Sequence, residues 1–129
     1  MPYLTDPIGD LLTRIRNAQA ARSTSCSAPW SRINEELCKL LKKEGLIADV
    51  QVTGEAPKQD IEVTFNAERP HLVLKRMSKP GRRLYMKYTE LRPILSGFGI
   101  AVLTTSEGLL TDRQARERKV GGEILCTIA

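Results

Sequence analysis

The sequence contains few of the residues that enzymes and secreted proteins use for reactive or crosslinked sites. Only three cysteines occur among 129 residues, and Cys26, Cys38 and Cys126 form no CxxC pair. Their odd number and spacing indicate reduced thiols in a cytosolic protein rather than a disulfide framework or a zinc knuckle. The single histidine, His71, follows a proline, no GxSxG motif accompanies it, and the carboxylates are scattered or directly beside cations, so nothing indicates a catalytic acid and base pair. We therefore expect no enzyme activity, no metal site and no cofactor.

Long apolar runs are also missing. No segment approaches the ~20 apolar residues that a membrane-spanning helix needs. The first ten residues, MPYLTDPIGD, place acids and prolines where a signal peptide requires positive charge followed by an apolar run. The sequence therefore predicts a soluble, cytoplasmic protein that has no membrane partner.

The paired glycines do not form a nucleotide-binding motif. Gly97 and Gly99 precede an apolar run, and Gly121 and Gly122 precede another, whereas a dinucleotide fingerprint follows a strand and opens a helix. We interpret these residues as turn glycines, since turns often require a positive φ. A basic nucleotide-binding or enzymatic domain of the cytosol is the alternative function, and it would need a phosphate loop that the sequence does not contain.

Acidic residues are absent from one strongly basic segment. The chain has 20 Lys and Arg against 15 Asp and Glu, which gives a net charge of +5. Residues 75–87 include no acid and six cations: Lys75, Arg76, Lys79, Arg82, Arg83 and Lys87. Pro80 and Gly81 predict a hairpin turn between strands at 71–77 and 84–88. A basic hairpin attracts polyanions, and the RNA-binding candidates that it contributes are Lys79, Arg82, Arg83 and Tyr85.

Two amphipathic helices are predicted in the first half of the chain. Asp6 and Pro7 begin the first helix, in which apolar residues recur at Ile8, Leu11, Leu12, Ile15 and Ala18. Its other faces carry mainly hydrogen-bond donors. Ser31 caps a second helix that ends at Gly45, and Trp30 is expected to pack in the core.

The strand pattern of the first half indicates a small sheet. Residues 47–52 and 61–65 have strand composition and are separated by a polar loop at 53–60. Residues 23–28 fit either a strand or a loop by pattern alone. Beyond residue 68, turn residues mark a boundary and strands dominate.

The last 30 residues carry a hydroxyl-rich corner between predicted strands. An apolar strand at 99–103 ends in Thr104, Thr105 and Ser106, which can present donors at a fixed place, and Leu109 and Leu110 can pair back onto it. Hydroxyl and glycine corners suit the shallow minor groove of RNA, and no helix-turn-helix or zinc finger indicates duplex DNA. RNA is therefore the preferred polyanion. A protein adaptor that meets acidic partners is a weaker interpretation.

A short helix and a closing strand follow the corner. Thr111 and Gln114 form a capping box that starts a helix carrying Arg113, Arg116 and Arg118, of which Arg113 and Arg116 are RNA-binding candidates. The glycines at 121 and 122 are expected to stop this helix. Residues 123–128 alternate, which predicts that Ile124, Cys126 and Ile128 share one face of a strand.

Together these elements predict an α+β fold. Residues 1–68 form an N-terminal helix-strand-helix-strand-strand subdomain. Residues 69–129 form a mostly β C-terminal subdomain with short helices that binds RNA and packs on the first subdomain.

The sequence resembles the family of small-ribosomal-subunit protein eight over nearly its whole length. The matching motifs run from Thr5-Asp6-Pro7-Ile8 and Leu12-Thr13-Arg14-Ile15-Arg16-Asn17 through Lys79-Pro80-Gly81-Arg82 to the stretch from Thr104 to Glu123. The resemblance implies a structural constituent of the small subunit, a primary binder of the central domain of its ribosomal RNA. It implies that the protein is a monomer within the ribosome and touches neighbouring small-subunit proteins.

The resemblance also implies which residues contact RNA. The core positions are Thr105, Ser106, Gly108 and Glu123, and the supporting positions are Thr5, Asp6, Arg14, Asn17, Ser31 and Arg32. Gly121 and Gly122 belong to the same matching motif as Glu123 and are included with the RNA-binding candidates.

Overall fold

The structure, a computed structural model, describes residues 6–68, 72–78, 81–91 and 99–129. Internal contacts divide the chain into two compact units. The N-terminal unit is Pro7–Leu72, and the C-terminal unit combines Met1–Asp6 with Val73–Ala129. The described parts of both units mix helices with antiparallel strands, which confirms the α+β class. The subdomain boundary near residue 68 stays a prediction.

The N-terminal unit has the predicted order of elements. In its described residues these are α1 (Pro7–Ala20), β1 (Ser25–Pro29), α2 (Arg32–Lys43), β2 (Ile47–Glu55) and β3 (Lys58–Phe65). The strands form an antiparallel sheet in the order β1-β3-β2. The polar segment left open as strand or loop is therefore largely strand β1.

Both ends of α2 follow from the sequence. The Ser31 hydroxyl accepts a hydrogen bond from the Asn34 amide at 3.2 Å, which confirms the predicted cap. At the other end Gly45 has a φ of +78°, which glycine adopts without strain. The Leu46 amide then donates to the Leu41 carbonyl at 3.0 Å and the Gly45 amide to Lys42 at 3.1 Å. This is the Schellman arrangement, which satisfies carbonyls that the helix leaves without partners.

Two predictions for this unit are wrong. Residues 53–60 do not form a loop, because β2 and β3 stay paired from Thr53 with Asp60 to Glu55 with Lys58. Most side chains of this extension are exposed, so no apolar alternation revealed the strands. Trp30 is 40% exposed rather than packed in the core. Its indole Nε1 donates to Glu35 Oε1 at 2.7 Å, which holds the ring beside the first turn of α2.

The described residues of the C-terminal unit form one antiparallel sheet and one α-helix. The strands are β4 (Leu74–Arg76), β5 (Tyr85–Met86), β6 (Ile100–Thr105), β7 (Gly108–Thr111) and β8 (Gly122–Ile128). Their order is β4-β8-β6-β7, and β5 also pairs with β8. A 3-10 turn lies at Tyr88–Glu90, and α3 at Asp112–Arg118.

The basic segment is not a hairpin of two mutually paired strands. Both flanking strands pair with β8 instead, Arg76 opposite Cys126 and Tyr85 opposite Glu123. The prediction failed because β8, far away in sequence, offers both strands a partner. The turn residues Lys79 and Pro80 lie outside the described residues.

Strand β8 contains an irregularity that changes which side chains share a face. Val102 pairs with Cys126, but the next residue, Leu103, pairs with Ile124, so Leu125 is the extra residue of a β-bulge. Ile124 therefore lies on the Leu103 face and Cys126 on the opposite one. The predicted common face of Ile124, Cys126 and Ile128 is wrong, because simple alternation does not allow for the inserted residue.

Helix α3 covers one face of this sheet. Within the described residues the core there comprises Leu91, Ala101, Leu103, Ala115 and Ile124. The Thr111 and Gln114 capping box is present at the start of α3. The helix ends at Lys119, which takes a left-handed φ of +56°, so the glycines at 121 and 122 do not stop it as predicted.

Candidate nucleic-acid interface

The hydroxyl corner is the tip of the β6–β7 hairpin. Thr105 pairs with Gly108, which leaves Ser106 and Glu107 as the connecting residues. The Thr105 hydroxyl donates to the Gly108 carbonyl at 2.9 Å and accepts from the Glu107 amide at 3.1 Å. Ser106 is exposed, and its hydroxyl has no hydrogen-bond partner among the described residues. Thr105 thus fixes the turn, while Ser106 presents a free donor and acceptor.

Gly108 supports the corner through its backbone conformation. Its φ is +100°, and an added Cβ would meet nothing within 4 Å. The requirement for glycine there is conformational rather than steric, since residues with a Cβ rarely adopt this φ.

Gly121 and Gly122 allow close approach of backbones beside the corner. A Cβ on Gly122 would lie 2.2 Å from the Thr104 carbonyl oxygen. A Cβ on Gly121 would lie 2.6 Å from the Met86 carbonyl oxygen. Neither glycine has the positive φ that the sequence interpretation assumed. Their missing side chains instead let β8 run tightly between β6 and β5.

Glu123 is a buried carboxylate that joins three segments of the C-terminal unit. It accepts a hydrogen bond from the Ser78 hydroxyl and pairs with Arg83 Nη1 at 3.1 Å. The side chain of Glu123 is 8% exposed and that of Arg83 55%. Ser78 Oγ also accepts from the Leu84 amide at 3.1 Å. Glu123 therefore fixes the basic segment to the end of β8. Nothing in the local sequence pattern around Ser78 signals this partner.

The sheet pairing brings several candidates to one end of the C-terminal unit. Thr104 pairs with Glu123, and Glu123 with Tyr85, so the corner, the two glycines and Tyr85 lie on adjacent strands. Tyr85 is 71% exposed. A cleft of about 460 Å³ adjoins it, lined by residues 85–90 with both glycines. Lys87 and Tyr88, which are not among the predicted site residues, also line this cleft.

The arginines of α3 differ in their partners. Arg116 Nη1 bonds Asp112 Oδ2 at 2.9 Å, and Asp112 is almost fully buried. Arg118 Nη1 lies 3.7 Å from Glu107 Oε1, and both side chains are about half exposed. Arg113 is exposed and has no ion pair within the described residues. The helix therefore offers one unpaired and two paired guanidinium groups.

Most RNA-binding candidates on or next to α1 and α2 already interact with other groups of the protein. Arg14 pairs with Asp10 at 2.9 Å, and Arg32 with Glu36 at 3.4 Å. Ser31 caps α2, whereas Asn17 is exposed.

Asp6 belongs to the C-terminal unit. Arg76 Nη2 lies 3.1 Å from Asp6 Oδ1, and Arg76 Nη1 donates to the bulge carbonyl of Leu125. Arg76 therefore positions Asp6 beside β8. The remaining predicted residues, Thr5 and Lys79, lie outside the described residues.

The two units differ in charge. By sequence, the N-terminal unit has nine basic and nine acidic residues, and the C-terminal unit has eleven and six. The entire excess of positive charge thus lies in the unit that carries the corner. Its described cations without an ion pair are Lys75, Arg82, Lys87, Arg113 and Lys119.

The thiols are poor nucleophiles. Burial raises the pKa of Cys126 to about 12 and that of Cys38 to about 12, and it raises the pKa of Cys26 to about 11. The thiolate is the reactive form, so these groups are inert near neutral pH. The described residues contain no cluster of three or more side chains suited to hold a metal ion. In the same part of the chain, no helix has the length and apolar character needed to cross a membrane.

Comparison with known proteins identifies the family. A family model described as ribosomal protein S8 matches residues 6–129. The small ribosomal subunit protein uS8 of Tolumonas auensis is 46% identical over 128 residues, covering 98% of this chain and 98% of that protein. The proteins of the same name from Rubrobacter xylanophilus and Pediococcus pentosaceus are 43% and 48% identical, each over 97% of this chain and 98% of the relative. The chain therefore belongs to the ribosomal protein S8 family, whose members are structural ribosomal proteins and not enzymes.

Proposed function

We propose that the protein is a primary binder of the central domain of small-subunit ribosomal RNA and nucleates assembly there. It acts as a monomer within the cytoplasmic ribosome and touches neighbouring small-subunit proteins. The observation that carries the proposal is the free Ser106 hydroxyl on a hairpin turn fixed by Thr105, in the unit that holds all of the excess positive charge.

The chemistry of the corner suits an irregular RNA stem. A hydroxyl both donates and accepts, so Ser106 can bond a 2′-hydroxyl or a base edge in a shallow groove. Because Thr105 already fixes the turn, Ser106 loses little conformational freedom on binding. The unpaired cations of the same unit supply phosphate contacts, which position the RNA without reading its sequence.

The corner is tested by Ser106→Ala. Removing one partner of a buried intermolecular hydrogen bond costs about 1 to 3 kcal/mol, which corresponds to roughly a 5- to 150-fold loss of affinity. The same change at an exposed turn should alter stability by less than about 0.5 kcal/mol. Affinity is measured by titration against the central-domain stem and against an unrelated duplex, alongside thermal melts.

Thr53→Ala is the matched control, since Thr53 is an exposed hydroxyl on the β2–β3 hairpin of the other unit. It should leave affinity unchanged and lower stability by no more than about 1 kcal/mol, since alanine has a lower strand propensity than threonine. If Ser106→Ala binds the stem like the parent protein, or weakens only in step with a lower melting temperature, the corner is a structural turn and the site is wrong.

Salt dependence tests the phosphate contacts separately. If about 4 to 6 phosphates are neutralised, log K falls with log salt at a slope of roughly −3 to −5, using about 0.7 to 0.9 per phosphate. The five described cations without ion pairs fit that range. A slope near zero between low and physiological salt would contradict polyanion binding altogether.

A further inference from the structure

Besides Arg76, three arginines of the C-terminal unit are each paired with an acid of that unit: Arg83 with Glu123, Arg116 with Asp112 and Arg118 with Glu107. The acids differ in how firmly they are fixed. Asp112 and Glu123 have side chains that are 5% and 8% exposed, and each has a second hydrogen-bond donor, the Ala101 amide or the Ser78 hydroxyl. Glu107 is 46% exposed, and Arg118 is its carboxylate's sole partner among the described residues. Of these three pairs, only Glu107–Arg118 is therefore free to exchange partners.

The Glu107 carboxylate does not help to build the hairpin. The turn is fixed by the Glu107 amide, which donates to Thr105 Oγ1, and by the Thr105 hydroxyl, which donates to the Gly108 carbonyl. The carboxylate reaches Arg118 at 3.7 Å, an ion-pair distance longer than a hydrogen bond. Replacing the carboxylate by an amide therefore leaves the corner's backbone interactions in place.

From this contrast we propose that Glu107 is a temporary partner of Arg118 in the free protein and that an RNA phosphate takes its place on binding. In the free protein the carboxylate holds the guanidinium beside the exposed Ser106. In the complex Arg118 turns to a phosphate, and Glu107 is left to solvent and ions. This inference rests on the proposed RNA-binding function and adds to it an exchange of ion-pair partners at Arg118.

Exchange has a specific energetic consequence. Binding must break the Glu107–Arg118 pair, so part of the affinity gained by the Arg118–phosphate contact is lost in the parent protein. An exposed ion pair of this kind shifts an equilibrium by about 1.4- to 5-fold. Without the carboxylate, the full phosphate contact appears as affinity. Arg118→Ala should therefore weaken binding more in a Glu107→Gln background than in the parent.

The experiment is a double-mutant cycle of Glu107→Gln and Arg118→Ala, titrated against the central-domain stem at low and physiological salt. Glu107→Gln alone should tighten binding by about 1.4- to 5-fold and steepen the salt slope by up to about one unit. The loss of affinity caused by Arg118→Ala should be about 1.4- to 5-fold larger in the Glu107→Gln background than in the parent protein.

Glu117→Gln is the matched control, because Glu117 is an exposed acid of the same helix as Arg118 and has no ion pair in the described part of the chain. Glu117→Gln removes one negative charge, as Glu107→Gln does. The effects of Glu117→Gln and Arg118→Ala on affinity should simply add. Additive behaviour of the Glu107 cycle, or an equal gain from both glutamines, overturns the exchange. If the parent protein does not bind the stem at all, the proposed function fails instead, so the two failures are distinguishable.

Discussion

The buried carboxylate of Glu123 makes the strongest prediction about stability. Its side chain is 8% exposed, and it accepts from the Ser78 hydroxyl and pairs with Arg83. Ser78 is itself completely buried. Glu123→Ala leaves that hydroxyl without its acceptor, which costs about 1 to 3 kcal/mol. The half-exposed Arg83 contributes less than about 1 kcal/mol, because water screens its charge. The expected loss in the free energy of unfolding is therefore about 1 to 4 kcal/mol.

Glu123→Gln separates the charge from the hydrogen bond. The amide oxygen can still accept from Ser78, and only the charge-assisted part of the interaction is lost, about 1 to 2 kcal/mol. Urea denaturation followed by circular dichroism measures both variants, with Glu117→Ala as an exposed control that should change stability by less than about 0.5 kcal/mol. If Glu123→Ala unfolds at the same urea concentration as Glu117→Ala, the carboxylate does not anchor the basic segment. RNA titrations of Glu123 variants are interpretable only well below their melting temperatures.

Three further predictions concern other parts of the chain. Gly122→Ala should lower the free energy of unfolding by more than about 2 kcal/mol, because the new Cβ would lie 2.2 Å from the Thr104 carbonyl oxygen. At Gly108 an added Cβ would meet nothing within 4 Å, but φ is +100°, so Gly108→Ala should cost only about 1 to 2 kcal/mol in the same denaturation assay. A larger loss of stability for Gly108→Ala than for Gly122→Ala would contradict this reasoning. Trp30 fluorescence should resemble a partly hydrated indole in the folded protein, since the ring is 40% exposed; a large red shift of the emission on unfolding would show that it is buried. Cys126 is completely buried and burial raises its pKa to about 12, so at pH 8 iodoacetamide should label it far more slowly than the partly exposed Cys26, as peptide mass spectrometry would show.

Local signals predicted the helices well. The caps at Ser31 and Thr111 and the glycine ending at Gly45 each depend on one or two neighbouring residues, and the structure contains all three. The order of elements in the N-terminal unit is likewise confirmed. These features are readable because the interactions that create them lie within a few positions in sequence.

Features that depend on distant partners were not predictable. The basic segment looked like a hairpin because its turn residues are local, whereas its partner β8 lies about 40 residues away. Ser78 gave no signal, since its importance comes from Glu123. Trp30 was misplaced because hydrophobicity does not reveal that Glu35 bonds its indole. The RNA-binding assignments remain predictions, since they require a partner that the protein's own geometry does not contain.

The bulge at Leu125 accommodates one extra residue in β8 without changing the face of the sheet on which Glu123 lies. If Leu125 were paired regularly with Leu103, the carboxylate of Glu123 would turn toward the apolar face that Leu103 shares; because Leu125 is bulged instead, Glu123 stays on the face of Thr104. Removing Leu125 would not scramble the strand, because Ile124 would still meet Leu103 and Cys126 would still meet Val102. The damage would be confined to one buried side chain and to the carbonyl that receives Arg76, and through Arg76 it would reach Asp6.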